Sequence, residues 1–159
     1  MPTLENAISI ALEAHRGEVD QSGAPYILHP LRLMLQMDTE EEMITAVLHD
    51  VVEDSGIDIP TLRERGFSKT ILDAVESLTR GENESYEDFI NRAGLNAMGR
   101  KIKCADLLDN LDTSRLGKLT DRDLNRIKKY HNALALLKKT GPGCSIDFKG
   151  PNTLFLGEI

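Results

Sequence analysis

The sequence is short of aromatic and basic residues, and these shortages limit what the protein can be. Only 4% of its 159 residues are aromatic and none is tryptophan, so aliphatic side chains and methionine must fill the interior. The formal net charge of −7 argues against a general binder of nucleic acid or of anionic membranes, because both need a basic surface. A metal or a local group of cations can still attract a small anionic ligand.

Cysteines and long apolar runs are equally scarce. Cys104 and Cys144 match no zinc or redox spacing, which predicts two reduced thiols. No apolar run approaches the ~18 residues of a membrane-spanning helix. The amino terminus has no basic segment followed by an apolar one, so no signal peptide is expected. We therefore predict a cytoplasmic protein without nucleic-acid or membrane partners.

Apolar residues recur at helical spacing along most of the chain, which predicts an all-α fold. The expected helices cover residues 4–15, 27–37, 39–55, 60–65, 68–78, 85–96, 100–111 and 120–139. The last helix should turn Leu124, Ile127, Leu134 and Leu137 inward. We predict one domain over residues 1–140, and an irregular or two-stranded tail over 141–159 that packs on it or extends from it.

The stretch from Thr45 to Asp54 combines an apolar composition with four titratable side chains. These are His49, Asp50, Glu53 and Asp54, and a single helix would stack them as two pairs at i and i+4. Burying so many ionisable groups costs several kcal/mol unless they are paired, protonated or bound to metal. The stretch is therefore interpreted as a functional site.

Four residues on three predicted helices have the character of metal ligands: His29, His49, Asp50 and Asp106. Two imidazoles with two carboxylates suit manganese, iron or magnesium better than tetrahedral zinc. Such a metal lowers the pKa of water and so makes it a hydrolytic nucleophile. Taken singly, each residue has a structural alternative, since His29 before Pro30 could simply bond to backbone at a helix start.

Other polar residues near these positions have two interpretations each. Glu53 and Asp54 could position or deprotonate a water, or could be surface charges at a helix end. Asp109 shares a helix face with Asp106, which a solvated polar face would also explain. His15 and His131 are interpreted as core or surface histidines. Four basic residues could face a phosphate or be solvated: Arg16, Arg32, Lys101 and Lys103.

Three motifs carry a resemblance to a known family. They are Ser22-Gly-Ala-Pro-Tyr-Ile-Leu-His-Pro30, Leu48-His-Asp-Val-Val-Glu-Asp54 and Ile102-Lys-Cys-Ala-Asp-Leu-Leu-Asp-Asn110. Their order resembles the hydrolase domain of RelA/SpoT proteins and the small stand-alone alarmone hydrolases, within the HD superfamily of metal-dependent phosphohydrolases. The similarity runs from about Leu4 to Lys139 and implies a helical HD-domain bundle.

The resemblance also implies roles for individual residues. His29, His49, Asp50 and Asp106 would bind one manganese ion. Glu53 and Asp54 would match the catalytic pair that handles the attacking water. Ser22 would lie beside the base of a nucleotide, and Asn110 near the nucleotide itself. The implied reaction is hydrolysis of the 3′-pyrophosphate from guanosine tetra- or pentaphosphate.

The chain departs from the family pattern on the substrate side. Asp20-Gln21 stands where the family usually has Arg-Lys, and Leu107 and Asp112 stand where it usually has basic residues. Each added carboxylate would repel a polyanionic substrate by about 1 kcal/mol. These departures keep two alternatives open: an HD hydrolase for a different nucleotide, and a non-enzymatic, metal-stabilised module that binds a nucleotide or a partner.

Overall fold

The computed structural model describes residues 1–144, which fold as an assembly of helices. These are α1 (Leu4–Ala14), α2 (Leu28–Met34), α3 (Glu40–Leu48), α4 (Val51–Asp54), α5 (Ile59–Glu64), α6 (Lys69–Leu78), α7 (Tyr86–Leu95), α8 (Ala97–Leu111) and α9 (Asp121–Thr140), with one 3₁₀ turn at Thr113–Arg115. The predicted all-α class is confirmed. Among the helices of this part of the chain, none is both long and apolar enough to cross a membrane. Most of the predicted tail lies outside the described residues, and the domain boundary at 140 stays a prediction.

Short polar side chains fix where most of the longer helices begin. Among the described residues, these side chains accept a hydrogen bond from a backbone N–H in the first turn of their α-helix: Thr39, Asp58, Ser68, Ser85, Asn96 and Thr120. Each bond satisfies a donor that the helix itself leaves unpaired, which stabilises the helix start by about 1 kcal/mol. The predicted starts therefore agree with the observed ones to within a few residues.

The predicted helix over residues 39–55 is wrong in one respect, because it is two helices. α3 ends at Leu48, and Asp50 has φ −103° and ψ −6°, outside the α-helical well, before α4 begins at Val51. This backbone region is sparsely allowed and is common at active sites. Apolar periodicity continues through the interruption, so the sequence pattern does not reveal it.

The helices pack around three groups of buried apolar side chains. One lies between α1, α3 and α6, and another between α7, α8 and α9. The third joins them where α2, α3 and α8 meet, and includes Leu33, Ala46 and Ile102. The junction between α3 and α4 therefore lies at the centre of the molecule, beside α2 and α8.

The prediction of two reduced thiols is wrong. Cys104 of α8 and Cys144, just beyond α9, form a disulfide with their Cα atoms 5.3 Å apart. The two cysteines are 40 positions apart in the sequence, but α9 packs against α8 and returns the chain to Cys104. The sequence spacing of the two cysteines therefore does not show that they are close, because helix packing brings them together.

The apolar stripe predicted for α9 is buried only in its second half. Leu134 and Leu137 are buried, whereas Leu124 is 46% exposed. The prediction for Leu124 is wrong because, at 100° per residue, Leu124 lies about 140° around the helix from Leu137 and so does not share its buried face.

This difference between two leucines of one helix is testable. Leu137→Ala should lower the free energy of unfolding by about 2–5 kcal/mol, because it leaves a cavity in the core. The matched change Leu124→Ala should alter it by no more than about 0.5 kcal/mol. Urea unfolding of both variants measures this, and equal losses would contradict the packing described.

Candidate metal centre and substrate cavity

His49 and Asp50 stand at the junction of α3 and α4, at the end of a buried helical turn. Because a carbonyl can only accept, Nδ1–H of His49 must donate to the carbonyl of Ala46, 2.8 Å away. In the neutral imidazole the other nitrogen, Nε2, then carries a lone pair, and it lies 2.9 Å from Oδ2 of Asp50. His49 and Asp50, adjacent in the sequence, thus also place two possible metal-ligand atoms next to each other in space.

His29 and Asp106 reach the same point from α2 and α8. Nε2 of His29 lies 3.2 Å from Oδ1 of Asp106 and 4.0 Å from Oδ2 of Asp50. Donor atoms of His29, His49 and Asp50 all lie within 4.8 Å of one another. Three of the four candidate ligands predicted from the sequence therefore form one group, and Asp106 adjoins it through His29.

This donor set fits a divalent cation. Nε2 of His49 is buried and has no hydrogen-bond partner among the described residues. It directs a lone pair at a carboxylate oxygen of Asp50, and a cation between the two atoms would relieve that repulsion. Two imidazole nitrogens with carboxylate oxygens suit manganese, iron or magnesium.

Lys103 provides the positive charge that accompanies the burial of Asp106. Its Nζ lies 2.7 Å from Oδ2 of Asp106 and 5.0 Å from the centre of the Phe89 ring. Burial alone would raise the pKa of Asp106, but the positive charge of Lys103 lowers it well below its usual range. Asp106 therefore stays ionised in the interior.

Tyr26 closes the site on the side of α1. Its hydroxyl donates to Oδ2 of Asp50, and its ring packs against His15 and His29 with centres 4.8 Å and 5.6 Å apart. Burial, together with the charge of Asp50, raises the pKa of Tyr26, so the hydroxyl remains a donor. His15 is a buried histidine, as one of its two interpretations has it. Sequence reasoning missed Tyr26, although it precedes His29 by three residues within the first motif.

Glu53 and Asp54 follow on α4 and are exposed to the cavity. The backbone N–H of Arg80, just beyond α6, donates to Oε1 of Glu53 and holds that side chain. Burial and the nearby charge of Asp50 raise the pKa of Asp54. Both carboxylates thus lie beside the four candidate ligands without belonging to them.

Ser22 and Asn110 also line the cavity, but each already bonds within the chain. The hydroxyl and the backbone N–H of Ser22 donate to Oδ1 of Asp20, at 2.6 Å and 2.8 Å. The amide of Asn110 donates to the backbone carbonyl and to Oδ1 of Asp106, at 3.0 Å and 2.6 Å. Asn110 therefore orients Asp106, and Asp20 stabilises the turn of its own loop.

The cavity has a volume of about 430 Å³ and a lining of mixed charge. Of the candidate ligands, His29, Asp50 and Asp106 line it. So does a group of cations and aromatic residues: Arg80, Lys103, Arg126 and Lys129, with Tyr86, Phe89 and Tyr130. Burial and the charges of Arg80 and Lys103 lower the pKa of Lys129, which indicates an excess of positive charge around Lys129.

Only part of this group of residues was predicted from the sequence. Of the cations considered there, Lys103 and Arg32 line the cavity, whereas Lys101 pairs with Asp38 and Glu42 elsewhere. Arg80, Arg126, Lys129 and Tyr130 were not predicted. The last three lie at i, i+3 and i+4 of α9, a spacing that could have identified them as one helix face.

Comparison with known proteins gives relatives for most of the chain, although no protein-family model matches it. A guanosine-3′,5′-bis(diphosphate) 3′-pyrophosphohydrolase of Haemophilus influenzae is 36% identical over 140 residues, 76% of this chain. A protein of the same name from Aquifex aeolicus is 29% identical over 122 residues, 69% of this chain. The bifunctional (p)ppGpp synthase/hydrolase RelA of Mycobacterium tuberculosis is 34% identical over 125 residues, 70% of this chain. The chain spans 20%, 17% and 17% of the lengths of these three relatives.

A solved structure has the same fold over nearly the whole chain. It is described as a metazoan orthologue of SpoT that hydrolyses ppGpp, and it superposes with a TM-score of 0.74 at 21% sequence identity, covering 91% of each chain. In sequence and in fold, the chain is therefore related to the hydrolase domain of RelA/SpoT proteins, as its motifs predict.

Proposed function

We propose that this chain is a manganese-dependent phosphohydrolase that removes the 3′-pyrophosphate from guanosine tetra- or pentaphosphate. One observation carries the proposal: His29, Asp50 and Asp106, with His49 beside Asp50, lie at a cavity that is also lined by a group of cations. The names of the relatives support this substrate. A volume of about 430 Å³ lies within the range of small-molecule sites.

In this proposal the two histidines and the two aspartates hold the ion. When bound, a divalent metal supplies Lewis acidity at a phosphate and lowers the pKa of water. His49 is suited to this role because the carbonyl of Ala46 holds its Nδ1 proton and leaves Nε2 free. Tyr26 and Asn110 orient the carboxylates of Asp50 and Asp106.

Glu53 and Asp54 act on the proton of the attacking water. The raised pKa of Asp54 makes it a better proton acceptor than an ordinary aspartate, while the N–H of Arg80 fixes Glu53 beside it. Water adds to the phosphorus next to the ribose, the bond to the 3′ oxygen breaks, and pyrophosphate leaves. A proton returns to the ribose oxygen, which completes the hydrolysis.

The cations that line the cavity receive the remaining phosphates. Arg80, Arg126 and Lys129 supply positive charge in place of the basic residues that the family has at positions 20, 107 and 112. The two added carboxylates are partly neutralised, because Asp20 bonds within its loop and Asp112 accepts hydrogen bonds from Ser114 and Arg115. Their repulsion of a polyanion is therefore smaller than the sequence departures suggest.

Metal binding is testable without a substrate. A ligand at 100 times its dissociation constant stabilises a protein by about 2.7 kcal/mol, so manganese should raise the melting temperature of the chelator-treated chain. His49→Ala should abolish that rise. His131→Ala, the same change at an exposed residue of α9, should preserve it. An unchanged rise in His49→Ala would contradict the site.

The roles of Glu53 and Asp54 require a separation of chemistry from metal binding. Glu53→Gln and Asp54→Asn should each lower kcat by about 10²-fold or more, because a positioned acid–base group contributes that much. Both variants should still bind manganese. Glu40→Gln, on the exposed first turn of α3, is the matched control and should retain full turnover. Full turnover in both cavity variants would exclude the assigned roles.

The substrate is tested by a screen of the manganese-loaded protein. The panel contains guanosine tetra- and pentaphosphate and the common nucleoside mono-, di- and triphosphates, with pyrophosphate and phosphate as measured products. Pyrophosphate should appear from the tetra- and pentaphosphate. Products from another nucleotide alone would indicate a different hydrolase, and manganese binding without any product would indicate a non-enzymatic module.

A further inference from the structure

Asp109 lies one turn after Asp106 on α8, and its side chain is only 6% exposed. Its Oδ2 lies 2.7 Å from Nδ1 of His29. Arg32 donates to both carboxylate oxygens, from Nε at 2.7 Å and from Nη2 at 2.9 Å. Arg115 approaches from the other side, donating to the backbone carbonyl of Asp109 at 2.7 Å. Asp109 is therefore buried and paired, and it does not belong to a solvated polar face of α8.

We propose that Asp109 is a positioning residue that fixes the ring of His29 for metal binding. A carboxylate at Nδ1 retains the proton on that nitrogen, so that Nε2 presents its lone pair to the point where Asp50 and Asp106 converge. Carboxylates commonly hold metal-binding histidines in this way, and removing one typically weakens metal affinity by about 10- to 100-fold. The inference rests on the proposed metal site.

The rings of His29 and His49 are held by different kinds of hydrogen-bond partner. The Nδ1 of His49 bonds to a main-chain carbonyl, which no substitution at another residue removes. The Nδ1 of His29 depends on a side chain that reaches it from 80 positions further along the sequence. The orientation of His29, unlike that of His49, can therefore be disturbed by a single substitution outside the ligand set.

The arginines explain why Asp109 supports a ligand instead of acting as one. Its two oxygens are occupied by the guanidinium of Arg32 and by His29, and Arg115 adds a second positive charge nearby. These contacts balance the buried carboxylate and turn it away from the point where the ligands meet. The same contacts fix Arg32 and Arg115 in the wall of the cavity.

The test compares Asp109→Asn with Asp112→Asn by calorimetric titration with manganese. Asp112 also accepts a hydrogen bond from Arg115, at 3.1 Å, so the control removes the same charge from the same end of α8 without touching His29. Asp109→Asn should raise the manganese Kd by about 10- to 100-fold. Asp112→Asn should leave it within about twofold. Equal affinity in wild type and Asp109→Asn, with both folded by circular dichroism, would overturn the inference.

A second measurement covers the case in which Asp109→Asn does not fold. Nitrogen-15 spectra of histidine in the wild-type protein loaded with diamagnetic magnesium report which ring nitrogen carries the proton. His29 should carry it on Nδ1, and a proton on Nε2 would refute the inference. Wild-type protein that binds no divalent metal would overturn the metal site and this inference together. Metal binding weakened by Asp109→Asn, but without hydrolysis of any nucleotide, would leave the inference standing and overturn the proposed function alone.

Discussion

The structure depends on burying ionisable groups at a point where separate parts of the chain meet. His29, His49 and Asp106 are nearly inaccessible to solvent, and such burial is unfavourable for charged groups unless their charges are balanced. Lys103 balances Asp106, and the hydroxyl of Tyr26 bonds to Asp50. The packing of α2, the α3–α4 junction and α8 is therefore inseparable from the chemistry of the site, because each of these elements contributes a candidate ligand.

The same packing places carboxylates and cations on different elements around one cavity. The carboxylates lie where α2 and α8 meet the α3–α4 junction, while Arg126 and Lys129 come from the first half of α9. Leu124 belongs to the same half of α9 but lies on another face of the helix and is exposed. A divalent cation beside the carboxylates and a polyanionic ligand beside the cations would complement both sets of charges. The net charge of −7 thus conceals a local excess of positive charge.

Interactions within one helical turn were predictable from the sequence, whereas contacts between residues far apart in the sequence were not. The caps at Thr39 and Thr120 act within one turn, so the helix starts could be read directly. The residue types and the resemblance of three motifs both indicated the candidate ligands, but not the break between α3 and α4. Asp109 was ambiguous because its partners lie as much as 80 positions away. The disulfide of Cys104 was not predictable for the same reason, because it forms only through the packing of α9 on α8.

The central claim is that a divalent cation binds between His29, His49, Asp50 and Asp106. Crystals of the chain grown with manganese, measured on both sides of the manganese absorption edge, locate the ion directly. The account predicts an anomalous peak in contact with Nε2 of both histidines and with the carboxylates of Asp50 and Asp106. The absence of a peak there, or a peak only at the neighbouring donor atoms of His15, Glu18 and Asp54, would contradict it.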